Sequence, residues 1–189
     1  MHPAQLSYEL RNETSPDLTR RRWIIGLSLL GVAAGKIVGA YQTGILRRLP
    51  DLPFWPFDSN RVNASDYAYS RGQMPDGLPM IVNLGITACL AGAGGKYRAE
   101  DNPALPIATT AKAIADLAVT AKLGQEEWRE NKALCAYCQA ATVASAAVLV
   151  LSLPETIRAL KSITGPKPAQ PARRTVRAIV GRTRAMMNA

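Results

Sequence analysis

Four long stretches of this chain are almost free of charged residues, and they limit its fold more than any other feature. They read WIIGLSLLGVAAGKIVGAYQTGIL (23–46), LPMIVNLGITACLAGAGG (78–95), ALPIATTAKAIADLAVTA (104–121) and ALCAYCQAATVASAAVLVLSL (133–153). About 20 apolar helical residues cross a hydrocarbon layer of about 30 Å. The stretches therefore predict an all-α fold, a four-helix transmembrane bundle with a long outer loop after helix 1 and a basic C-terminal tail.

A soluble helical bundle is the alternative, because buried core helices are also apolar over most of their surface. A soluble helix, however, needs a polar stripe at the helical period. The first and fourth stretches have almost no such stripe, whereas the third is alanine-rich and contains Lys112 and Asp116. Pro154 follows the fourth stretch and predicts that this helix ends there. We therefore favour the membrane.

The distribution of charge predicts an orientation. The chain carries 23 Lys and Arg residues against 14 Asp and Glu, which gives a net charge of +9. Fourteen of the basic residues flank the stretches on one side of the predicted bundle, and seven lie on the other side. Lys and Arg accumulate on the cytoplasmic side of membrane proteins. We expect a bacterial inner-membrane protein with both termini cytoplasmic, and with the loop 49–75 and the connection 123–132 outside.

Three regions follow from this organisation: a cytoplasmic N-terminal segment (1–21), a four-span membrane domain (22–160) and a basic tail (161–189). Residues 19–23 (TRRRW) are similar to a twin-arginine export signal, but an uncleaved anchor fits the long apolar run better. In the tail, basic and apolar residues alternate over 173–187. An interfacial helix on anionic membrane lipid, a docking segment for partner subunits and a disordered tail are all compatible with this pattern. Nucleic-acid binding is disfavoured, because no recognition motif accompanies the charge.

Cys135 and Cys138 form a C-x-x-C pair at the start of the fourth stretch. Two thiols at this spacing on a first helical turn can form a disulfide, and the helix N-terminus favours a thiolate. Half of a zinc site is a poor alternative, because the only histidine is His2. Two cysteines that pack as small apolar side chains remain an alternative. Cys89, in the middle of the second stretch, is interpreted as a packing residue.

The position of the pair favours redox chemistry. Cys135 lies two residues into the apolar stretch, after a connection that we expect to face water, and Cys138 lies one turn deeper. One sulfur can then meet a protein thiol and the other a lipid-soluble quinone. We also expect Lys112 to pair with Asp116, and Lys36 either to reach Asp116 across the bundle or to extend to a lipid headgroup.

A four-span bundle with a C-x-x-C at the start of the fourth span, and the sequence VNASDYA (62–68) in the loop after the first, resembles the vitamin K epoxide reductase family. The resemblance covers about residues 22–160. It implies a bundle that encloses a quinone, ubiquinone or menaquinone, and a C-x-x-C that passes electrons between the quinone and thiols of the loop or of a thioredoxin-like or substrate protein. By this resemblance Cys138 is the quinone-side sulfur, Cys135 the exchanging sulfur and Ser65 the loop hydroxyl. Tyr137 and Thr142 complete the predicted quinone site.

The chain departs from the family pattern in its loop. Family members commonly carry two further cysteines there, but residues 47–76 contain none, and Ser59 stands at the second of these positions. Thr142 replaces a tyrosine that the family can carry. Two hypotheses follow: a thiol–quinone oxidoreductase in which an external thiol reaches Cys135 directly, or a non-catalytic accessory subunit of a larger membrane complex that retains the fold.

Overall fold

The computed structural model describes residues 3–165, which are predominantly helical. The helices are α1 (Pro3–Asn12), α2 (Pro16–Gln42), α3 (Ser59–Asn63), α4 (Gly77–Gly92), α5 (Arg98–Asp101), α6 (Ala104–Asn131) and α7 (Ala136–Thr164), with a short 3-10 helix at Asp66–Tyr69. The prediction of an all-α fold is confirmed for these residues. The predictions for the tail from residue 166 onward lie outside the described residues.

Among residues 3–165, three helices are long and apolar enough to cross a membrane, namely α2, α6 and α7. In their most apolar windows only 33%, 28% and 28% of the residues are buried. Large apolar side chains cover the outer surface instead, among them Leu30, Val82, Val119, Val143 and Val150. An apolar exterior of this kind is typical of helices surrounded by lipid. The fold thus fits an integral membrane protein.

The second predicted span is shorter than its sequence suggested. Helix α4 has 16 residues, which extend about 24 Å at 1.5 Å per residue and so fall short of a hydrocarbon layer of about 30 Å. The helix ends at Gly92, and Gly94 adopts a left-handed backbone conformation with φ of +81°. This glycine cluster turns the chain toward α5, so the apolar stretch does not continue as helix.

Helix α4 packs closely along α2, because glycines face each other at the contact. Gly31, Gly35 and Gly39 are buried at four-residue spacing on one face of α2. A Cβ atom added to Gly77 of α4 would lie 2.7 Å from the backbone nitrogen of Gly39. Small residues permit this approach of two backbones. Helix α7 packs against both α2 and α6, and α4 also contacts α6.

Two buried arginines surround the C-terminal end of α4. Arg21 donates hydrogen bonds to the carbonyl oxygens of residues 91–95, which the end of a helix leaves without intrahelical partners. Arg98 donates to carbonyls of the same turn and binds Glu155 of α7 with two hydrogen bonds of 2.8 Å. Both arginines are 2% exposed. Both arginines are therefore internal structural residues, although their sequence positions predict charges that flank the membrane.

Helices α6 and α7 are both longer than predicted. The connection predicted at 123–132 is the last part of α6, where Glu127 and Asn131 are buried one turn apart. Helix α7 continues past Pro154 to Thr164. The residues after the proline hold this turn in place, since Glu155 binds Arg98 and Thr156 donates to the carbonyl of Pro106. The predicted end at Pro154 is therefore wrong, and residues 123–131 form the end of a helix rather than a separate connection.

The predicted pair of Lys112 and Asp116 is confirmed, with 2.6 Å between the ammonium and the carboxylate. Asn83 and Thr87 of α4 bind both charged groups. Lys36 is exposed and does not take part in this cluster, so the alternative in which it reaches Asp116 is wrong. The cluster joins α4 to α6 inside the protein.

Candidate functional site

Cys135 is the N-cap residue of α7. Its backbone is extended, with φ of −84° and ψ of 118°, and its sulfur accepts a hydrogen bond of 3.3 Å from the backbone N–H of Cys138. The sulfur thus satisfies one of the free N–H groups of the first helical turn, as a serine or aspartate oxygen commonly does. Both cysteines are present as thiols. The spacing of three residues places the second thiol beside the first.

The segment between α2 and α4 (residues 43–76) supplies the surroundings of Cys135. The side-chain amide of Asn63 donates a hydrogen bond of 3.2 Å to the Cys135 sulfur. The hydroxyl of Ser59 accepts one of 2.9 Å from the backbone N–H of Ala136 and donates one of 3.0 Å to Asp51. Ser59 and Asn63 are fully buried. Ser59 therefore lies directly beside the start of the C-x-x-C.

Backbone hydrogen bonds fasten the same segment over the start of α7. The N–H of Asp58 donates to the carbonyl of Leu134, and the N–H of Leu134 donates to the carbonyl of Pro56. The hydroxyl of Tyr137 donates a hydrogen bond of 2.7 Å to the carbonyl of Pro50. These contacts enclose Cys135, whose side chain is not exposed at all.

Glu127, in the last turns of α6, lies against both cysteines. Its carboxylate accepts hydrogen bonds of 3.2 Å from the backbone N–H of Cys135 and from the side-chain amide of Gln139. The Cys138 thiol lies next to this carboxylate. Sequence reasoning missed Glu127, because it stands among charged residues that suggested a connection in water. The four-residue spacing of Leu123, Glu127 and Asn131 was the available sign of a helical face.

The environment of Cys135 favours its thiolate. The hydrogen bond with the Cys138 thiol lowers the pKa of Cys135 below the ordinary value of a cysteine, and the amide of Asn63 acts in the same direction. Burial opposes them, since it disfavours the charged form. A cysteine with a lowered pKa is the more reactive nucleophile of a pair near neutral pH.

Two other residues of the predicted quinone site, Thr142 and Ser65, differ in how they relate to the two cysteines. Thr142 donates a hydrogen bond of 3.1 Å to the carbonyl of Cys138, one turn along α7. The hydroxyl of Ser65 donates to the carbonyl of Val62 within its own segment. Asn63 is the loop side chain that contacts the Cys135 sulfur. Cys89 is exposed on α4, so its interpretation as an internal packing residue is wrong.

The exposure of the two cysteines differs from the sequence-based expectation. Cys135 is completely buried, although the expected neighbour was a connection in water, whereas Cys138 is partly exposed. Cys135 is buried because residues 123–131 continue as helix beside it and because the 43–76 segment covers this N-cap residue of α7. Val38, Val62 and Ala133 form an apolar cluster with Cys135, against which Tyr137 and Cys138 pack.

Comparison with known protein families supplies an independent assignment. The model of the vitamin K epoxide reductase family matches residues 22–153, which are more than half of the chain. The matched region extends from the start of the apolar part of α2 through the C-x-x-C and most of α7. Searches of curated proteins and of solved structures gave no match. The length of the matched region shows that this chain belongs to the vitamin K epoxide reductase family.

Proposed function

We propose that this protein is a membrane thiol–quinone oxidoreductase in which Cys135 and Cys138 exchange electrons between protein thiols and a quinone. Family membership supports membrane thiol–quinone oxidoreduction at the family level. One observation carries the proposal for these two residues. The Cys135 sulfur accepts hydrogen bonds from the backbone N–H of Cys138 and from the side-chain amide of Asn63. Both bonds stabilise a thiolate that can exchange with a disulfide.

The reaction begins with the Cys135–Cys138 disulfide. A substrate thiolate attacks the Cys135 sulfur, the bond between the two cysteines breaks, and Cys138 leaves as a thiolate. A second substrate thiol then displaces Cys135, which forms a substrate disulfide and the reduced pair. Oxidation of the pair by a quinone restores the disulfide, and two electrons and two protons convert the quinone to a quinol.

The residues around Cys138 fit an apolar ring. Val38 and Val62 pack in the cluster that Cys138 borders, and Cys138 itself is partly exposed. The family acts with quinones. We assign the headgroup of ubiquinone or menaquinone to this side of the pair, with Tyr137 and Thr142 beside it and Ser65 as the loop hydroxyl.

The absence of cysteine from residues 47–76 supports a thiol donor that belongs to another molecule. Ser59 holds the helix N-terminus by a hydrogen bond and has no sulfur to pass electrons onward. A thioredoxin-like or substrate protein must therefore reach Cys135 directly. Because Cys135 is completely buried, the 43–76 segment has to move when this partner binds.

We place the protein in a bacterial inner membrane with both termini cytoplasmic. Arg21 and Arg98 lie at the end of the bundle opposite to Cys135, and the basic residues Arg20, Arg22 and Lys96 lie near the same end. The excess of basic residues there fits the cytoplasmic side. The C-x-x-C then lies at the periplasmic end, where protein thiols are oxidised. Cysteine accessibility to an impermeant reagent in intact cells and in inverted vesicles tests this orientation.

Mixed-disulfide trapping tests the assignment of the two sulfurs. In a Cys89→Ser background, Cys138→Ser should accumulate mixed disulfides when the Cys135 thiolate attacks a thioredoxin-like protein supplied in its disulfide form, and it should not reduce quinone. Cys135→Ser should neither trap nor turn over. Cys89→Ser alone is the control and should keep the activity of the unmodified protein. Turnover that survives the loss of either sulfur would contradict the proposal.

A non-catalytic accessory subunit is the second candidate, and the complete burial of Cys135 favours it. In this case the C-x-x-C serves packing, and the basic tail binds partner subunits of a larger complex. Purification should then give a stoichiometric complex, and deletion of residues 170–189 should release the chain. A free monomer that oxidises thiols would exclude this function.

A further inference from the structure

Glu127 is a buried carboxylate that contacts a reacting sulfur and has no role in the proposed function so far. It is 3% exposed and accepts hydrogen bonds of 3.2 Å from the backbone N–H of Cys135 and from the side-chain amide of Gln139. The Cys138 thiol is its neighbour. We propose that Glu127 is a catalytic residue that accepts the proton of the Cys138 thiol when the pair is oxidised. This inference rests on the proposed thiol–quinone reaction.

A structural role does not require an ionisable group at this position. Within residues 3–165 Glu127 forms no salt bridge, whereas its neighbour Glu126 pairs with Arg71 and Lys122. Removing a carboxylate from water without a cationic partner is costly. A glutamine would accept the same backbone hydrogen bond from Cys135 without that cost. A buried carboxylate without a cationic partner, placed beside a pair of thiols, indicates a role in proton transfer.

The oxidation of the two thiols requires a group that accepts a proton, and Glu127 can fill this role. Oxidation of the pair breaks two S–H bonds and forms the bond between Cys135 and Cys138, and two electrons and two protons pass to the quinone. The Cys135 proton passes to water when its thiolate forms, and the quinol takes one of its two protons back from water. The Cys138 proton passes to a Glu127 carboxylate oxygen as the disulfide closes, and Glu127 then gives it to an oxygen of the quinol. Transfer of this kind contributes about a hundredfold or more to many enzymatic rates.

Two measurements on Glu127→Gln separate proton transfer from a structural role. The first is the rate at which iodoacetamide alkylates Cys138 in the reduced full-length protein, in a Cys89→Ser background, with the sites resolved by mass spectrometry. Loss of a neighbouring negative charge favours the Cys138 thiolate, so alkylation at pH 7 should be faster by at least about threefold, with a midpoint at lower pH. Alkylation of Cys135 should remain much slower than alkylation of Cys138, because Cys135 stays completely buried. A loosened structure would instead expose both sulfurs and make the two rates similar.

The second measurement is turnover with a dithiol and a quinone, which should fall at least about tenfold in Glu127→Gln. Faster alkylation together with slower turnover is the expected signature. Glu126→Gln is the matched control and should change neither quantity by more than about twofold, since Glu126 interacts with exposed cations. Glu127→Asp keeps the charge and should keep the slow alkylation of Cys138, which supplies a second test if Glu127→Gln folds poorly.

The two proposals fail in different ways. If Glu127→Gln leaves the alkylation of Cys138 unchanged in rate and in pH midpoint, or if it turns over like the unmodified protein, Glu127 is not the proton acceptor. If the unmodified protein itself does not turn over, the thiol–quinone function fails. In that case, the rate and the pH midpoint of Cys138 alkylation still test whether Glu127 controls the protonation of Cys138.

Discussion

The side-chain amide of Asn63 donates a hydrogen bond of 3.2 Å to the sulfur of Cys135. This bond joins the buried end of α3 to the N-cap of α7. Asn63 also donates to the carbonyl of Ser59 and accepts from the amide of Gln42, so its orientation is fixed on several sides. A fixed donor aimed at a sulfur stabilises the charged form of that sulfur.

Replacement of Asn63 should therefore shift the pH dependence of thiol exchange. The hydrogen bonds from Cys138 and Asn63 lower the pKa of Cys135, so the thiolate forms at a lower pH than in an ordinary cysteine. Asn63→Leu removes one donor, which raises the pH at which Cys135 becomes a thiolate. The rate of mixed-disulfide formation in the Cys138→Ser background, measured from pH 6 to about pH 10, should reach its midpoint at higher pH. Ser65→Ala is the control, since Ser65 bonds within its own segment, and an equal shift in both variants would contradict this account.

A cysteine at position 59 should form a disulfide with Cys135. The Ser59 hydroxyl lies 2.9 Å from the backbone nitrogen of Ala136, the residue after Cys135. Ser59→Cys, treated with oxidised glutathione, should give this cross-link in mass spectra of digested protein. Ser65→Cys should not, because its side chain points to the Val62 carbonyl. Equal cross-linking of the two variants would mean that the 43–76 segment does not hold Ser59 at the helix N-terminus.

Because α2 and α4 are in close contact, a single methyl group added at this contact should lower the stability of the protein. Gly77→Ala places a carbon about 2.7 Å from the backbone nitrogen of Gly39, where neither backbone can yield easily. Overpacking of this kind costs about 1–3 kcal/mol. Thermal unfolding in detergent should show a clear loss for Gly77→Ala. Gly85→Ala, on the same helix with open space around it, should unfold near the temperature of the unmodified protein. Similar unfolding temperatures for both variants would be inconsistent with this packing.

The buried pair of Arg98 and Glu155 should contribute much more to stability than an exposed pair. Arg98→Met leaves the Glu155 carboxylate buried at 5% side-chain exposure without its partner, which costs about 3–5 kcal/mol. Lys122→Met breaks an exposed pair with Glu126 at 3.8 Å and should cost less than about 1 kcal/mol. Chemical unfolding of both variants in detergent gives the comparison. A small effect of Arg98→Met would show that other contacts hold the end of α4.

The sequence predicted the features that depend on local composition. The apolar stretches identified α2, α6 and α7, and the C-x-x-C placed both cysteines at the start of α7. The pair of Lys112 and Asp116 followed from helical spacing. Helix ends were less predictable. Pro154 removes a backbone donor, yet α7 continues, because the contacts of Glu155 and Thr156 with residues distant in sequence hold the following turn.

The surroundings of the cysteines depended on tertiary contacts that no local pattern contains. Glu127 looked like part of a charged connection, and its contact with the backbone of Cys135 exists only because α6 continues beside the start of α7. Arg21 looked like a flanking charge, although the carbonyls of residues 91–95 bind it internally. Burial of Cys135 likewise required a segment more than 70 residues away, through the contact with Asn63.

A single turnover of the reduced protein with quinone tests the central claim most directly. Reduced protein in lipid nanodiscs, in the Cys89→Ser background, is mixed with a short-chain ubiquinone or menaquinone, and quinol formation is followed by absorbance. The account predicts one quinol for each pair of thiols lost, with a new bond between Cys135 and Cys138 in the mass spectrum. Absence of quinol, or equal quinol formation by a variant that lacks both sulfurs, would contradict it.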